Sequence, residues 1–207
     1  RMPLPFRHSF QELQGELSRD GQTVVVKPSR LKIEKERVVL ERLQLLFGGG
    51  QFSAKGSVRS QGELGTDGLT VAVVGYPLPL QGKAANGQVL PVVSGTVQLS
   101  GKLTQWRAKG EGRLVRGKES ARFRFDGTGS RSALDFTELD IRTALGGLNG
   151  KLKAQWQPNP DFAFSGRMQR FDPSYFHPDF PGAIDADVQL SAASKPDSEW
   201  TGLLKID

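Results

Sequence analysis

His8 and His177 are the two side chains of this sequence that could act as imidazole bases or metal ligands near neutral pH. Neither has a companion at metal-ligand spacing, and His177 sits in a loop among aromatics. Asp185 and Asp187 are the best candidate acid pair. At i, i+2 on a strand they share the outer face, which makes them solvated carboxylates rather than a coupled acid and base. The phosphate motifs fail too. Gly150-Lys151 runs into Leu152 and lacks the earlier glycine of a P-loop, and Gly110-Glu111-Gly112 and Gly127-Thr128-Gly129 are turn fragments. No GxSxG elbow is present, and with no Cys there is neither thiolate chemistry nor a disulfide. The sequence carries no catalytic, metal or cofactor constellation, so the expectation is not an enzyme.

The chemistry that the sequence does carry is apolar and periodic. Ala121, Phe123 and Phe125 alternate with Arg122, Arg124 and Asp126; Ile184, Ala186, Val188 and Leu190 alternate with Asp185, Asp187, Gln189 and Ser191. Successive strand side chains point to opposite faces, so each run has one apolar and one polar face. The pattern recurs from about Val38 to the last residue and predicts an all-β chain. A short helical turn is expected to begin Ser9 to Leu17, ended quickly by Gly15 and Arg19-Asp20-Gly21. Val24 to Lys27 and Leu31 to Ile33 are predicted as separate short strands around Pro28, and Leu69 to Val74 leads into the extended Tyr76-Pro77-Leu78-Pro79-Leu80.

Composition supports a folded chain. Of 207 residues, 37% are hydrophobic and 25 are Gly, more than the average share of about 7%. Basic residues exceed acidic ones by six, and the excess is densest from Lys102 to Arg131, with Arg107, Lys109, Arg113, Arg116, Lys118, Arg122 and Arg124. A basic sheet face suits a solvated exterior, anionic lipid headgroups or nucleic-acid phosphates. Nucleic acid is the least favoured, because Phe123 and Phe125 point away from the arginines and cannot stack bases beside them. No apolar stretch reaches 18 residues. The first residues, Arg1-Met2-Pro3, lack the sections of a signal peptide, and the last form an open strand, so the expectation is one fragment of a longer protein covering 1–207. A weak internal repeat is expected over 43–104 and 139–192, where Thr96-Val97-Gln98-Leu99-Ser100-Gly101 echoes Asp187-Val188-Gln189-Leu190-Ser191-Ala192. Phe171-Asp172-Pro173-Ser174-Tyr175-Phe176-His177-Pro178-Asp179-Phe180-Pro181-Gly182 breaks the rhythm. It reads as a crossing loop with aromatic feet, in which Asp172 with Pro173 can cap and open a short helix that Pro178 would stop.

Strand stripes ending in small residues, Gly-rich reversals such as Gly48-Gly49-Gly50, and this Phe-Asp-Pro…Phe-Pro-Gly loop leading into Ala183-Ile184-Asp185-Ala186-Asp187-Val188 together resemble the TamB family. Its members are the large periplasmic subunits of the translocation and assembly module, within the AsmA-like group of bridge-like lipid transfer proteins. The resemblance covers the chain from about Leu43 onward. It implies an elongated curved sheet forming an open trough, a β-taco with an apolar concave face. It also implies a periplasmic location, with the full-length protein anchored in the inner membrane and meeting membranes at both ends. The implied partners are phospholipid acyl chains and, through regions outside this chain, an outer-membrane Omp85-type barrel like TamA. No nucleic acid and no cofactor are implied.

On either basis the residues expected to line the apolar groove are Leu43, Leu45, Phe47, Phe52, Val97, Leu99, Leu103, Trp106, Phe123, Phe125, Leu134, Phe136, Leu139, Ile141, Leu152, Trp156, Phe162, Phe164, Met168, Ile184, Val188, Leu190, Leu204 and Ile206. Trp106, Trp156 and Trp200 recur in similar contexts, either as core aromatics or as rungs of a trough. Three functions are open: a bridge segment that carries or shields acyl chains, a scaffold that pairs its strand edges with nascent outer-membrane strands, and a closed β-sandwich binding module.

Overall fold

A computed structural model describes residues 10–19, 21–78, 90–172, 174, 182–194 and 200–207. The two-residue alternation becomes thirteen strands: β1 (Gln11–Arg19), β2 (Gln22–Ile33), β3 (Arg37–Phe47), β4 (Gly50–Arg59), β5 (Gly65–Pro77), β6 (Val92–Lys102), β7 (Gln105–Arg116), β8 (Glu119–Gly129), β9 (Ala133–Arg142), β10 (Gly147–Gln155), β11 (Asp161–Phe171), β12 (Ile184–Ser194) and β13 (Trp200–Ile206). They form one antiparallel sheet whose strand order is the chain order, so each strand pairs with its neighbours in sequence. The sheet is curved and not closed into a barrel, and β1 and β13 are its edges. Thirteen strands at about 4.8 Å spacing extend it roughly 58 Å along its surface. The sandwich alternative is thereby excluded, since the described strands belong to one layer.

A single layer explains the small core. Among the described residues Ala108, Leu114, Ala121, Leu148, Phe171, Ala186 and Val188 are the buried hydrophobic ones, and most other side chains of the apolar stripes are only half-buried. With little packing across layers, cohesion comes from the hydrogen-bonded ladder and from side chains paired across neighbouring strands.

Two expectations about the first elements are corrected. The helical turn expected within Ser9 to Leu17 is strand β1 over its described part, with Glu16 facing Val25 and Leu17 facing Val24. The segment is too short to hold a helix by itself and is interrupted by Gly15, whereas the adjacent β2 supplies hydrogen-bond partners to its backbone. The two short strands expected around Pro28 are one strand, β2. Pro28 has no N–H to give, and the β2–β3 register slips between Val26 and Arg30. Ser29, fully buried, bridges the gap: its Oγ donates to the Lys27 carbonyl at 2.7 Å and accepts the Gln44 N–H at 2.9 Å.

One edge of the sheet, formed by the turns at 34–36, 60–64, 103–104, 130–132 and 156–160, is laced turn to turn. Ser60 N–H donates to the Glu36 carbonyl and Leu103 N–H to the Leu64 carbonyl. Glu63 accepts the Thr104 N–H at 3.0 Å. Hydrogen bonding from Thr104, first by its side chain and then by its backbone, holds the Glu63 carboxyl below its ordinary range, aided by Lys102 and Arg131.

At the opposite edge, Asp172 Oδ1 accepts N–H groups from Ser174 at 2.9 Å and Gly182 at 3.3 Å, which closes the two described ends of the expected crossing loop. Arg116 donates to the Ser174 carbonyl. The rest of that loop, including His177, lies outside the described residues, as does His8. The hydrogen bonds from Ser174 dominate in holding the Asp172 carboxyl below its ordinary value of 3.8. A depressed pKa means the carboxylate stabilises the closed loop above that ordinary value, and the contribution is lost as pH falls through the lower folded value. In NMR titrations the Ser174 and Gly182 amide signals should therefore hold their positions down to about pH 4 and move only below it. Asp172→Asn should abolish that acid step, and a step persisting in the variant would assign it to another group.

Candidate functional site: an uncovered apolar face

Register turns the stripes of individual strands into rows that cross the sheet. One row runs Val26, Leu45, Phe52, Val73, Gly95, Gly112, Phe123, Ile141, Leu148, Met168 and Ala186, each directly opposite the next. The next runs Leu43, Ala54, Val71, Val97, Gly110, Phe125, Leu139, Gly150, Gly166, Val188 and Ile206. A third runs Leu31, Leu40, Gly56, Leu69, Leu99, Ala108, Gly127, Phe136, Leu152, Phe164, Leu190 and Leu204. Trp106, Leu134 and Phe162 belong to a shorter fourth row with Gly101, Gly129, Ala154 and Ala192. No charged residue interrupts any of these rows. Phe47 opposite Val24, and Ile184 opposite Phe171, extend the same surface toward the edge that carries the Asp172 loop.

Aromatic rings on this face lie over glycines of neighbouring strands. A Cβ built on Gly112 would stand 2.5 Å from the Phe123 ring, one on Gly110 2.5 Å from Phe125, one on Gly127 2.6 Å from Phe136, and one on Gly150 2.9 Å from Phe164. Phe125 and Phe136 also stack at 4.9 Å and 25°. The pairing of Gly with Phe makes a ring lie along the sheet rather than stand up from it, so the surface above stays open. Between β2 and β5 the same face forms a hollow of about 330 Å³ lined by Val24, Leu43, Leu45, Phe47, Phe52, Ser53, Ala54 and Val71. Tyr76, not singled out from the sequence, edges onto Phe52 at 5.4 Å there.

Leu103 and Trp156 lie beyond strand ends, Leu103 in the β6–β7 turn and Trp156 just after β10, and both are exposed. Trp106 and Trp156 grip the same β8–β9 turn: their indole N–H groups donate to the carbonyls of Ser130 at 3.0 Å and Arg131 at 2.8 Å. Recurrence in the sequence suggested one repeated setting for the tryptophans. These two instead converge on one turn from opposite sides. The side chain of Trp200 lies outside the described set.

The opposite face is charged, and many of its charges are paired. Arg107–Asp126 at 3.1 Å, Arg124–Glu138 at 2.7 Å, Arg142–Asp140 at 2.9 Å and Lys153–Asp135 at 3.2 Å join strands or near neighbours. Exposed pairs of this kind contribute about 0–1 kcal/mol each, so they dress a solvated surface rather than build a core. Asp185 does not pair with Asp187 as an acid couple: its Oδ1 accepts the Arg170 N–H at 3.0 Å, while Asp187 lies 4.0 Å from Arg167.

No helix is long and apolar enough to cross a membrane, and no group of metal-binding side chains occurs among the described residues. No curated protein and no solved structure matches the chain. The family model of the TamB N-terminal domain matches residues 68–205, from β5 to β13. One open antiparallel sheet and a family match over two thirds of the chain agree: the chain belongs to the TamB family, periplasm-spanning proteins of outer-membrane assembly or lipid transport rather than enzymes.

Proposed function

We propose that the apolar face is a conduit on which lipid acyl chains are carried or shielded between the inner and outer membranes, with phospholipid as the cargo. One observation carries the reading: three unbroken apolar rows cross at least eleven strands, and among the described residues no second layer covers them. An exposed apolar surface of that extent needs a partner. Each methylene laid on it gains about 0.8 kcal/mol, so a chain is held by length and not by a single pocket. Because the rows repeat at every strand, a chain moving one strand along exchanges like for like, which suits sliding better than a fixed site. The half-buried state of Phe123, Phe125, Phe162 and Phe164, without a covering layer, supports a concave bend toward this side. The full-length protein would be anchored in the inner membrane and meet a TamA-like barrel through other regions.

Leu190 tests the reading. It stands in the third row between Phe164 and Leu204 and is 36% exposed. In Leu190→Arg the stem still covers apolar surface while the guanidinium reaches water, so the fold should survive with a loss of about 1 kcal/mol, or about 2–4 °C in melting temperature. Binding of a fluorescent fatty acid should fall about tenfold. Gln189→Arg on the charged face, between Ser165 and Lys205, should change neither. A scaffold working through its strand edge would respond the other way, losing partner binding in Leu203→Pro and ignoring Leu190→Arg. That outcome would overturn the conduit.

A further inference from the structure

On the charged face, one row sets arginines directly opposite one another on three consecutive strands. Ser94 of β6, Arg113 of β7, Arg122 of β8 and Arg142 of β9 stand directly opposite one another on four consecutive strands. Like charges placed opposite each other across strands repel, and sheets normally avoid them. The neighbouring rows show the usual remedy, since Arg107 and Arg124 each hold a carboxylate. Here Arg142 is bent aside: its Nε meets Asp140 at 2.9 Å and its side chain lies over Gly147, where a Cβ would come within 2.9 Å of its Cδ. Arg113 and Arg122 are exposed, and among the described residues no carboxylate pairs with either. Ser94 Oγ accepts the Gly75 N–H at 3.0 Å and keeps its own hydrogen to donate.

We propose that Arg113 and Arg122, flanked by Ser94 and Arg142, form a phosphate-binding site on the face opposite the apolar rows. The chemistry favours phosphate over carboxylate. Two guanidinium forks stand on adjacent strands, and a tetrahedral phosphate can present separate oxygens to each, whereas a carboxylate offers one planar pair. A phosphate also carries the charge needed to offset two cations that have no acid of their own. The site stands near the end of β7 and the start of β8, close to the turn that joins them, where Lys118 adds positive charge while Arg116 is held by Glu119 at 3.1 Å. A headgroup phosphate of an anionic lipid and a free phosphate share the chemistry that the site recognises.

The test uses the 207-residue chain with two probes: inorganic phosphate followed by NMR of the arginine side chains, and vesicles of phosphatidylcholine with or without phosphatidylglycerol followed by co-sedimentation. Arg113→Gln/Arg122→Gln should weaken binding at least tenfold for whichever probe the unaltered chain binds. Lys151→Gln/Lys205→Gln removes the same charge elsewhere on the same face and should leave binding within twofold. Arginine-dependent binding of anionic vesicles without inorganic phosphate assigns the site to lipid headgroups, and the reverse assigns it to a small anion. The arginine variant should also melt higher than the unaltered chain at low ionic strength, because repulsion is relieved, and phosphate should narrow that gap. Equal losses in both charge variants, or no binding of either probe by the unaltered chain, would overturn the proposal. Fatty-acid binding on the apolar face should be the same in all of these variants, which keeps this test separate from that of the conduit.

Discussion

Gly56→Ala is expected to destabilise the protein by about 3 kcal/mol or more, combining backbone strain with a clash that cannot relax. Gly56 lies in β4 at φ +135°, a conformation that residues with a side chain rarely adopt. A Cβ there would stand 2.1 Å from the Gly68 carbonyl oxygen and 2.9 Å from the Leu69 Cα. Both are backbone atoms of the paired strand β5, so relief requires β4 and β5 to separate at the level of Leu40, where the β3–β4 register already shifts. Against a total stability of about 5–15 kcal/mol the loss is large, and it should lower the melting temperature by roughly 6–12 °C. Gly68→Ala is the control. It lies on the same strand pair with an ordinary φ and nothing within 4 Å of a built Cβ, so it should be neutral or slightly stabilising. A Gly56→Ala protein as stable as Gly68→Ala would show that these strands are not held together as described.

The second large effect concerns the rings laid over glycines. Phe125→Ala should cost about 2–4 kcal/mol, because the half-buried ring loses both its stack on Phe136 and its cover of Gly110. Gly110→Ala alone should cost about 1–2 kcal/mol, since its methyl group would enter the space the ring occupies. The two changes should not add. In the double variant the new methyl group fills part of the hollow that the missing ring leaves, so the combined loss should fall short of the sum by about 1 kcal/mol. Chemical denaturation of the four proteins closes that cycle. Additive losses would mean that the ring does not rest on the glycine and that the apolar floor is looser than its geometry indicates.

The two faces were legible from the residues alone. Alternation at Phe123 and Phe125 against Arg122 and Arg124, or at Ala186, Val188 and Leu190 against Asp185, Asp187 and Gln189, assigns sides because a strand's side-chain period is a property of the local backbone. That a neighbouring strand continues the same side is not local. It depends on turn lengths and bulges, such as those between Leu40 and Leu43 or between Met168 and Phe171, each of which can carry a stripe to the other face. For that reason the rows, the glycines under the rings, and the placement of Leu103 and Trp156 beyond the strand ends emerge only from the assembled sheet. The β1 strand was missed for the same reason, since a short polar segment becomes a strand when an edge is there to pair with it. Sequence alone established an all-β chain with one apolar side and no catalytic constellation, because both follow from residue types and their spacing of two. Tertiary structure decided that the described strands make one layer rather than a sandwich, and that Arg113, Arg122 and Arg142 meet in one row. Those facts rest on register, which is set by the pairing of segments distant in the chain.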